Sequence, residues 1–127
     1  MKKKPTPAEF KVLKRRARKI SVALKKLFPK AKIVLKYSTN WELLVAVQLS
    51  AQCTDKKVNE VTEKLFKKYK TLADYLKVAQ QEFERDIKPT GFYHNKAKNI
   101  LRAAKFVSEN YGGRIPKTMK EMITIPG

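Results

Sequence analysis

The sequence predicts an all-α fold, a helical bundle with short connections, from three observations. Apolar residues recur at alternating steps of three and four along much of the 127-residue chain. Two Thr-x-x-Glu stretches, Thr39 to Glu42 and Thr118 to Glu121, have the form of capping boxes that open helices. One β-branched stretch, "KAKIVLKY", has no second strand to pair with and reads as extended or irregular chain.

The elements follow in order. Residues 8–28 place Phe10, Leu13, Ala17, Ile20, Leu24 and Leu27 on one narrow apolar stripe between basic residues, and Pro29 ends that helix. After the connector, the Thr39 capping box leads into "ELLVAVQLSA", apolar nearly all round, the expected central buried helix. A break near Cys53-Thr54-Asp55, with Asp55 as the expected cap, precedes "KKVNEVTEKLFKKY", which aligns Val58, Val61, Leu65 and Tyr69 on one face. Thr71 opens a short helix carrying Leu72, Tyr75 and Leu76, and "QEFERDI" forms another, presenting Phe83 and Ile87. The Gly-aromatic stretch "KPTGFYHNKAKNI" turns into a helix with Ala97, Ile100, Leu101, Ala104 and Val107 inward, closed by Gly112-Gly113 in the left-handed geometry that glycine adopts cheaply. Thr118 starts a final turn or two, giving about seven helices in all.

The length suits one domain, and 43% hydrophobic against 32% charged residues excludes wholesale disorder. Thirty Lys and Arg against eleven Asp and Glu give a net charge of +19, which makes a polyanion, nucleic acid first, the expected partner. The first 36 residues hold fourteen of those basic residues and one acid, Glu9, a net of +13. The expected organisation is therefore residues 1–37 as a basic amphipathic helix and connector, and 38–127 as the helical domain. No stretch reaches membrane-span length and no signal-peptide core follows the basic start, so the expected location is cytoplasmic, nucleoid-associated in a bacterium.

Catalytic patterns are sparse. His94 is the only histidine, best read as a cap or surface residue, and Cys53 alone builds neither a disulfide nor a metal site; it reads as a small buried hydrophobe. Three stretches stand out. "LSAQCTD" sets polar Gln52 after a buried helix, "TGFYHNKAKN" holds Phe92 and Tyr93 in a glycine-led loop, and "ITIPG" ends on Pro126-Gly127. Taken alone, Gln52 reads as a helix C-cap, Phe92 as a core residue reaching back from its loop, and Tyr93 as structural.

Together, in this order and spacing, they resemble the endonuclease III family of DNA glycosylases, base-excision repair enzymes of the helix-hairpin-helix superfamily. The match runs through "WELLVAVQLSAQCTDKKVNEVTEKLF", "PTGFYHNKAKNI" and "YGGRIPKTMKEMITIPG", from Trp41 to Gly127. The resemblance implies most of the six-helix domain of that fold, without the hairpin and iron–sulfur parts. It implies a bifunctional glycosylase/AP lyase that removes oxidised pyrimidines and cleaves at abasic sites, acting as a monomer on double-stranded DNA with damaged bases or abasic sites. By the same resemblance Gln52 fills the gap left by a flipped nucleotide, and Phe92 wedges beside it. Pro126-Gly127 begins the DNA-binding hairpin by the same resemblance; Lys96 and Lys98, at a helix start, are candidates for phosphate contact, with plain solvation the commoner reading of any one lysine in so basic a chain.

In the family the catalytic lysine, a later aspartate and a four-cysteine 4Fe–4S site all follow the position of Gly127. No catalytic residue and no metal ligand is therefore expected within the chain, and residues 1–127 alone are expected to be inactive, interrupted inside the hairpin. Missing helices would leave apolar surface exposed on helix 41–51. Val47 stands where adenine-removing relatives carry a glutamate, which argues against that specificity. The alternatives are a non-catalytic basic DNA-binding module and an RNA- or ribosome-associated helical protein.

Overall fold

The computed structural model describes residues 3–127. The chain forms two compact units, Met1–Ile33 and Val34–Gly127. The elements are α1 (Pro7–Leu27), α2 (Asn40–Leu49), α3 (Asp55–Lys68), α4 (Leu72–Lys77), α5 (Gln80–Ile87), a 3-10 turn (Lys88–Thr90), α6 (Tyr93–Tyr111) and the single turn α7 (Met119–Met122). Among the described residues there is no strand, and no helix is long and apolar enough to cross a membrane.

In the first unit, α1 opens with a full capping box. Thr6 Oγ1 accepts the Glu9 N–H, and the Glu9 carboxylate accepts the Thr6 N–H at 2.7 Å. The pattern Thr-x-x-Glu is legible at residues 6–9, one residue ahead of the start read from periodicity. None of its residues is buried, and Phe10, Leu13, Ile20, Leu24 and Leu27 are all exposed.

In the second unit the centre is α6 rather than α2. It packs against α2, α4 and α5 and buries Ala97, Ile100, Ala103, Ala104 and Val107 completely. Ala103 takes the inward place expected of Leu101, which is half-buried. Helix α2 buries Trp41, Val45, Ala46 and Leu49 on one side, but Val47 is 53% exposed. An apolar groove of about 550 Å³ runs along that open side, lined by Leu43, Leu44, Val47, Ile115, Met122 and Ile125. Helix α3 presents Val58, Val61, Leu65 and Tyr69 inward as its spacing predicts, and Phe83 and Ile87 of α5 are fully buried.

An aromatic cluster joins the elements. Tyr75 meets Trp41 edge-on at 5.3 Å and lies 5.2 Å from Tyr69 and 5.7 Å from Phe83, pairs worth about 0.5–1.5 kcal/mol each beyond area burial. The connector is fixed without a partner strand. Asn59 of α3 accepts the Lys36 N–H at 2.9 Å and donates to the Val34 carbonyl at 3.1 Å, so one side-chain amide stands in for a strand neighbour. At the other end, the Tyr111 hydroxyl lies 2.9 Å from Thr124 Oγ1, and Ile125 enters the core.

The caps refine the sequence reading. Thr54, not Asp55, caps α3, its hydroxyl accepting the Lys57 N–H at 3.2 Å; Asp55 is the first helical residue, where its charge suits the helix dipole. At α4 the Asp74 carboxylate accepts the N–H groups of Thr71 and Lys70, each at 2.9 Å. Those bonds, the Thr71 amide foremost, hold Asp74 below its ordinary value of 3.8. A carboxyl depressed in the folded state contributes stability that is complete above its unfolded value and is lost as pH falls through the folded one. Asp74→Asn is therefore expected to flatten the dependence of urea-unfolding stability on pH as pH falls below the ordinary carboxyl value of 3.8. Parallel curves for parent and variant would remove Asp74 from the acid response.

Two non-glycine residues, Gln52 (φ 49°) and Phe92 (φ 45°), adopt the left-handed conformation. Such a backbone costs an L-residue about 1–2 kcal/mol relative to the right-handed form. Gln52→Gly and Phe92→Gly are each expected to raise stability by about 1 kcal/mol in urea unfolding, because both side chains are exposed and little packing is lost. A lower unfolding midpoint for both would show that these side chains contribute more to the fold than their backbone strain costs.

Candidate nucleic-acid interface

The site lies where two tight links meet. The first joins α2 to α3 through residues 50–54. Ser50 is the C-cap of α2, its carbonyl accepts the Cys53 N–H at 3.2 Å, and this reversal requires a positive φ at Gln52. Glycine would satisfy that geometry without strain, and the chain places a glutamine there instead. The C-cap is Ser50 and the Gln52 side chain is exposed.

The second link joins the 3-10 turn to α6. Gly91 (φ 73°, ψ 165°) occupies a region that only glycine visits readily, although a Cβ there would meet open space; its constraint is backbone conformation alone. Phe92 follows as the N-cap of α6, a place that favours Ser, Thr, Asp or Asn, and it offers no side-chain cap. It is 67% exposed, so it is no core residue. Tyr93 packs partly against the core, stacks near His94 at 4.2 Å between centroids, and lies under the Lys88 ammonium at 5.7 Å. His94 is an exposed residue whose Nδ1 lies 3.0 Å from the Glu84 carboxylate. The Gln80 amide and then His94 hold Glu84 below the usual carboxylate range.

Four of the residues singled out in the sequence share one cleft of about 390 Å³: Gln52, Phe92, Lys96 and Gly127. Pro126 belongs beside it, because its carbonyl accepts a hydrogen bond from Gln48 Nε2 at 3.1 Å. A Cβ on Gly127 would displace the movable end of the Gln48 side chain and come to 3.2 Å of Asn99 Cβ, and its φ of 103° favours glycine on backbone grounds.

Lys96 departs from expectation. It is 7% exposed, not a surface group at the helix start, and its ammonium donates to the Leu49 carbonyl at 2.9 Å and the Thr90 carbonyl at 2.8 Å. Burial holds it below the ordinary lysine range. A phosphate contact would have only the third N–H of a nearly buried ammonium to use. Lys98, in contrast, is exposed.

Sequence reasoning missed Gln48, Asn95 and Asn99, which also line the cleft. Gln48 had a signal, a lone amide inside an apolar helix; its Oε1 is buried without a hydrogen-bond partner among the described residues. Asn95 and Asn99 stand four apart on α6, a spacing that puts them on one face.

The iron–sulfur cluster that the resemblance implies does not fit these residues. Such a cluster needs four thiolates, and the chain has one cysteine, Cys53, half-buried against the core. Among the described residues no three His, Cys, Asp or Glu side chains come together as a metal site.

The fold matches a known family. A model described as HhH-GPD superfamily base excision DNA repair protein matches residues 45–125, which include Gln52, Phe92 and Lys96. The chain is 50% identical to endonuclease III of Bacillus subtilis over 101 residues, 80% of this chain and 46% of that protein. It is 46% identical to endonuclease III of Synechocystis over 114 residues, 90% of this chain and 52% of that protein. Among solved structures, a trapped endonuclease III–DNA covalent intermediate superimposes with a TM-score of 0.81 at 42% identity, over 89% of this chain and 53% of that one. The chain spans about half the length of the curated relatives it matches. With a family model covering well over half of its residues, and with endonuclease III proteins among its relatives, this chain belongs to the HhH-GPD superfamily of base excision DNA repair proteins.

Proposed function

We propose that residues 38–127 are the DNA-distorting part of a base-excision glycosylase/AP lyase, with Gln52 and Phe92 as the two groups that enter the duplex. The observation that carries this reading is their shared peculiarity. They are the only non-glycine residues at positive φ among the described residues, they come from different links, and they line the same cleft. An enzyme acting on a base inside a duplex must hold the nucleotide out of the stack and fill the space it leaves. The slim Gln52 side chain suits entry into that space and its amide suits the edge of an orphaned base, while the Phe92 ring suits insertion between base steps. Lys11, Lys14, Arg15, Arg18 and the other exposed basic residues of α1 suit sequence-independent attraction to phosphates.

The residues that break the glycosidic bond lie, by resemblance, in family segments after the position of Gly127. In a polypeptide carrying that lysine and aspartate, the module serves removal of oxidised pyrimidines and cleavage at abasic sites. Residues 1–127 by themselves are expected to give no covalent adduct when borohydride is added to the chain on a duplex with an abasic site. A trapped adduct would place a nucleophilic amine inside this segment and overturn that expectation.

The distorting role has its own test. Affinity for a duplex with a stable abasic-site analogue is compared with affinity for the undamaged duplex at one fixed salt concentration. Gln52→Ala and Phe92→Ala are each expected to lower the preference for the lesion about tenfold while leaving undamaged-duplex affinity nearly unchanged, in line with about 1–3 kcal/mol per stacked base. Equal losses on both duplexes would make these residues general contacts and sink the reading.

A further inference from the structure

From the geometry of its ammonium we infer that Lys96 is a positioning residue that fixes the spacing between Gln52 and Phe92, by tying the end of α2 to the 3-10 turn. The inference rests on the proposed role of those two residues and assigns the group that holds them apart.

The two partners of the ammonium have a particular place in the chain. The Leu49 carbonyl belongs to the last residue of α2, three residues before Gln52. The Thr90 carbonyl belongs to the last residue of the 3-10 turn, two residues before Phe92. Both carbonyls stand at helix ends, where acceptors lack a partner within the helix and attract a cation. One nitrogen with three protons therefore satisfies two orphan acceptors from segments far apart in sequence, and each segment leads directly into a strained residue. Thr90 is itself fixed, buried and donating from its hydroxyl to the Ile87 carbonyl at 2.8 Å. The backbone of Lys96 closes the unit, since its N–H binds the Phe92 carbonyl at 3.1 Å. The same residue thus holds the wedge loop by its main chain and both links by its side chain.

Charge points the same way. The acids paired near this end of α6, such as Glu84, pair with other residues, and the Lys96 ammonium is bound by carbonyls rather than by a carboxylate. A buried lysine held only by backbone carbonyls is an unusual choice for packing, which an apolar side chain of similar length would serve without desolvation. Its geometry suits a two-point brace.

The test uses the full 127-residue chain and three readouts: unfolding in urea, affinity for undamaged duplex with its salt dependence, and the lesion-to-undamaged affinity ratio. Lys96→Met keeps the length and removes the donors. It is expected to lower the lesion ratio at least tenfold, with undamaged-duplex affinity and salt slope unchanged within about twofold. Lys96→Arg, which can offer one N–H to each carbonyl, is expected to recover the ratio to within about threefold of the parent. An unchanged ratio in folded Lys96→Met overturns the inference and leaves the role of Gln52 and Phe92 standing. A reduced salt slope with matched losses on both duplexes makes Lys96 a phosphate contact and also overturns it. If the parent chain itself shows no lesion preference, the proposed function fails and the inference falls with it.

Should Lys96→Met not fold, the parent ammonium decides. Its Nζ protons are expected to exchange with water at least tenfold more slowly than those of exposed lysines such as Lys98, in both the free and the lesion-bound protein. Exchange as fast as that of the exposed lysines would mean that the brace does not exist in solution.

Discussion

Ala97, Ala103 and Ala104 carry only methyl side chains, so α6 can pack close against α2, α4 and α5, and the core of the second unit is built around it. Small residues at a helix crossing bring backbones together, and the larger Ile100 and Val107 then fill the space on either side. The approach also brings the beginning of α6 beside the end of α2. Only at that distance does one lysine side chain reach both the Leu49 and Thr90 carbonyls. Packing in the core thus sets the dimensions of the cleft at the surface.

Two local rules are broken at the edges of that cleft and obeyed nearly everywhere else. Thr6, Thr39, Thr54 and Thr118 cap their helices with hydroxyl groups, and Gly112 takes the left-handed position after α6. Phe92 caps without a capping group, and Gln52 takes a turn position suited to glycine. Ala79 of α5 also caps without a capping group, so what sets Gln52 and Phe92 apart is their left-handed backbone together with their place on one cleft. The strain is tolerated because the links are short and tied down at each end.

The order and extent of the helices were legible from the sequence, because period and caps agree. Val58, Val61, Leu65 and Tyr69 repeat at steps of three and four and all point inward. The identity of the central helix was not legible. Helix α2 is apolar on several sides, and composition alone cannot say which side a neighbour covers; Val47 stays exposed while alanine-rich α6 takes the centre. Similarly, Gln52 and Phe92 stood out as residues at odds with their places, but the strain that marks them exists only in the folded backbone. Lys96 stood out by position, but its burial was not legible, since that depends on two carbonyls supplied by distant segments. The linkage through Asn59 was hidden for the same reason, one side chain substituting for a missing strand.

In the proposed reading, attraction and discrimination are carried by different chemistry. The net +13 of the first 36 residues draws any duplex, and that attraction weakens with added salt because releasing counterions then gains less. The cleft holds amides, an aromatic ring and a single ammonium that is already bound by carbonyls, so salt acts on it only weakly. Undamaged DNA is then bound mainly by the first term, and a flexible lesion recruits the second because bending it costs less. Raising salt should consequently weaken both complexes while leaving their ratio nearly constant. A cleft that worked through free lysines would lose the ratio together with the affinity.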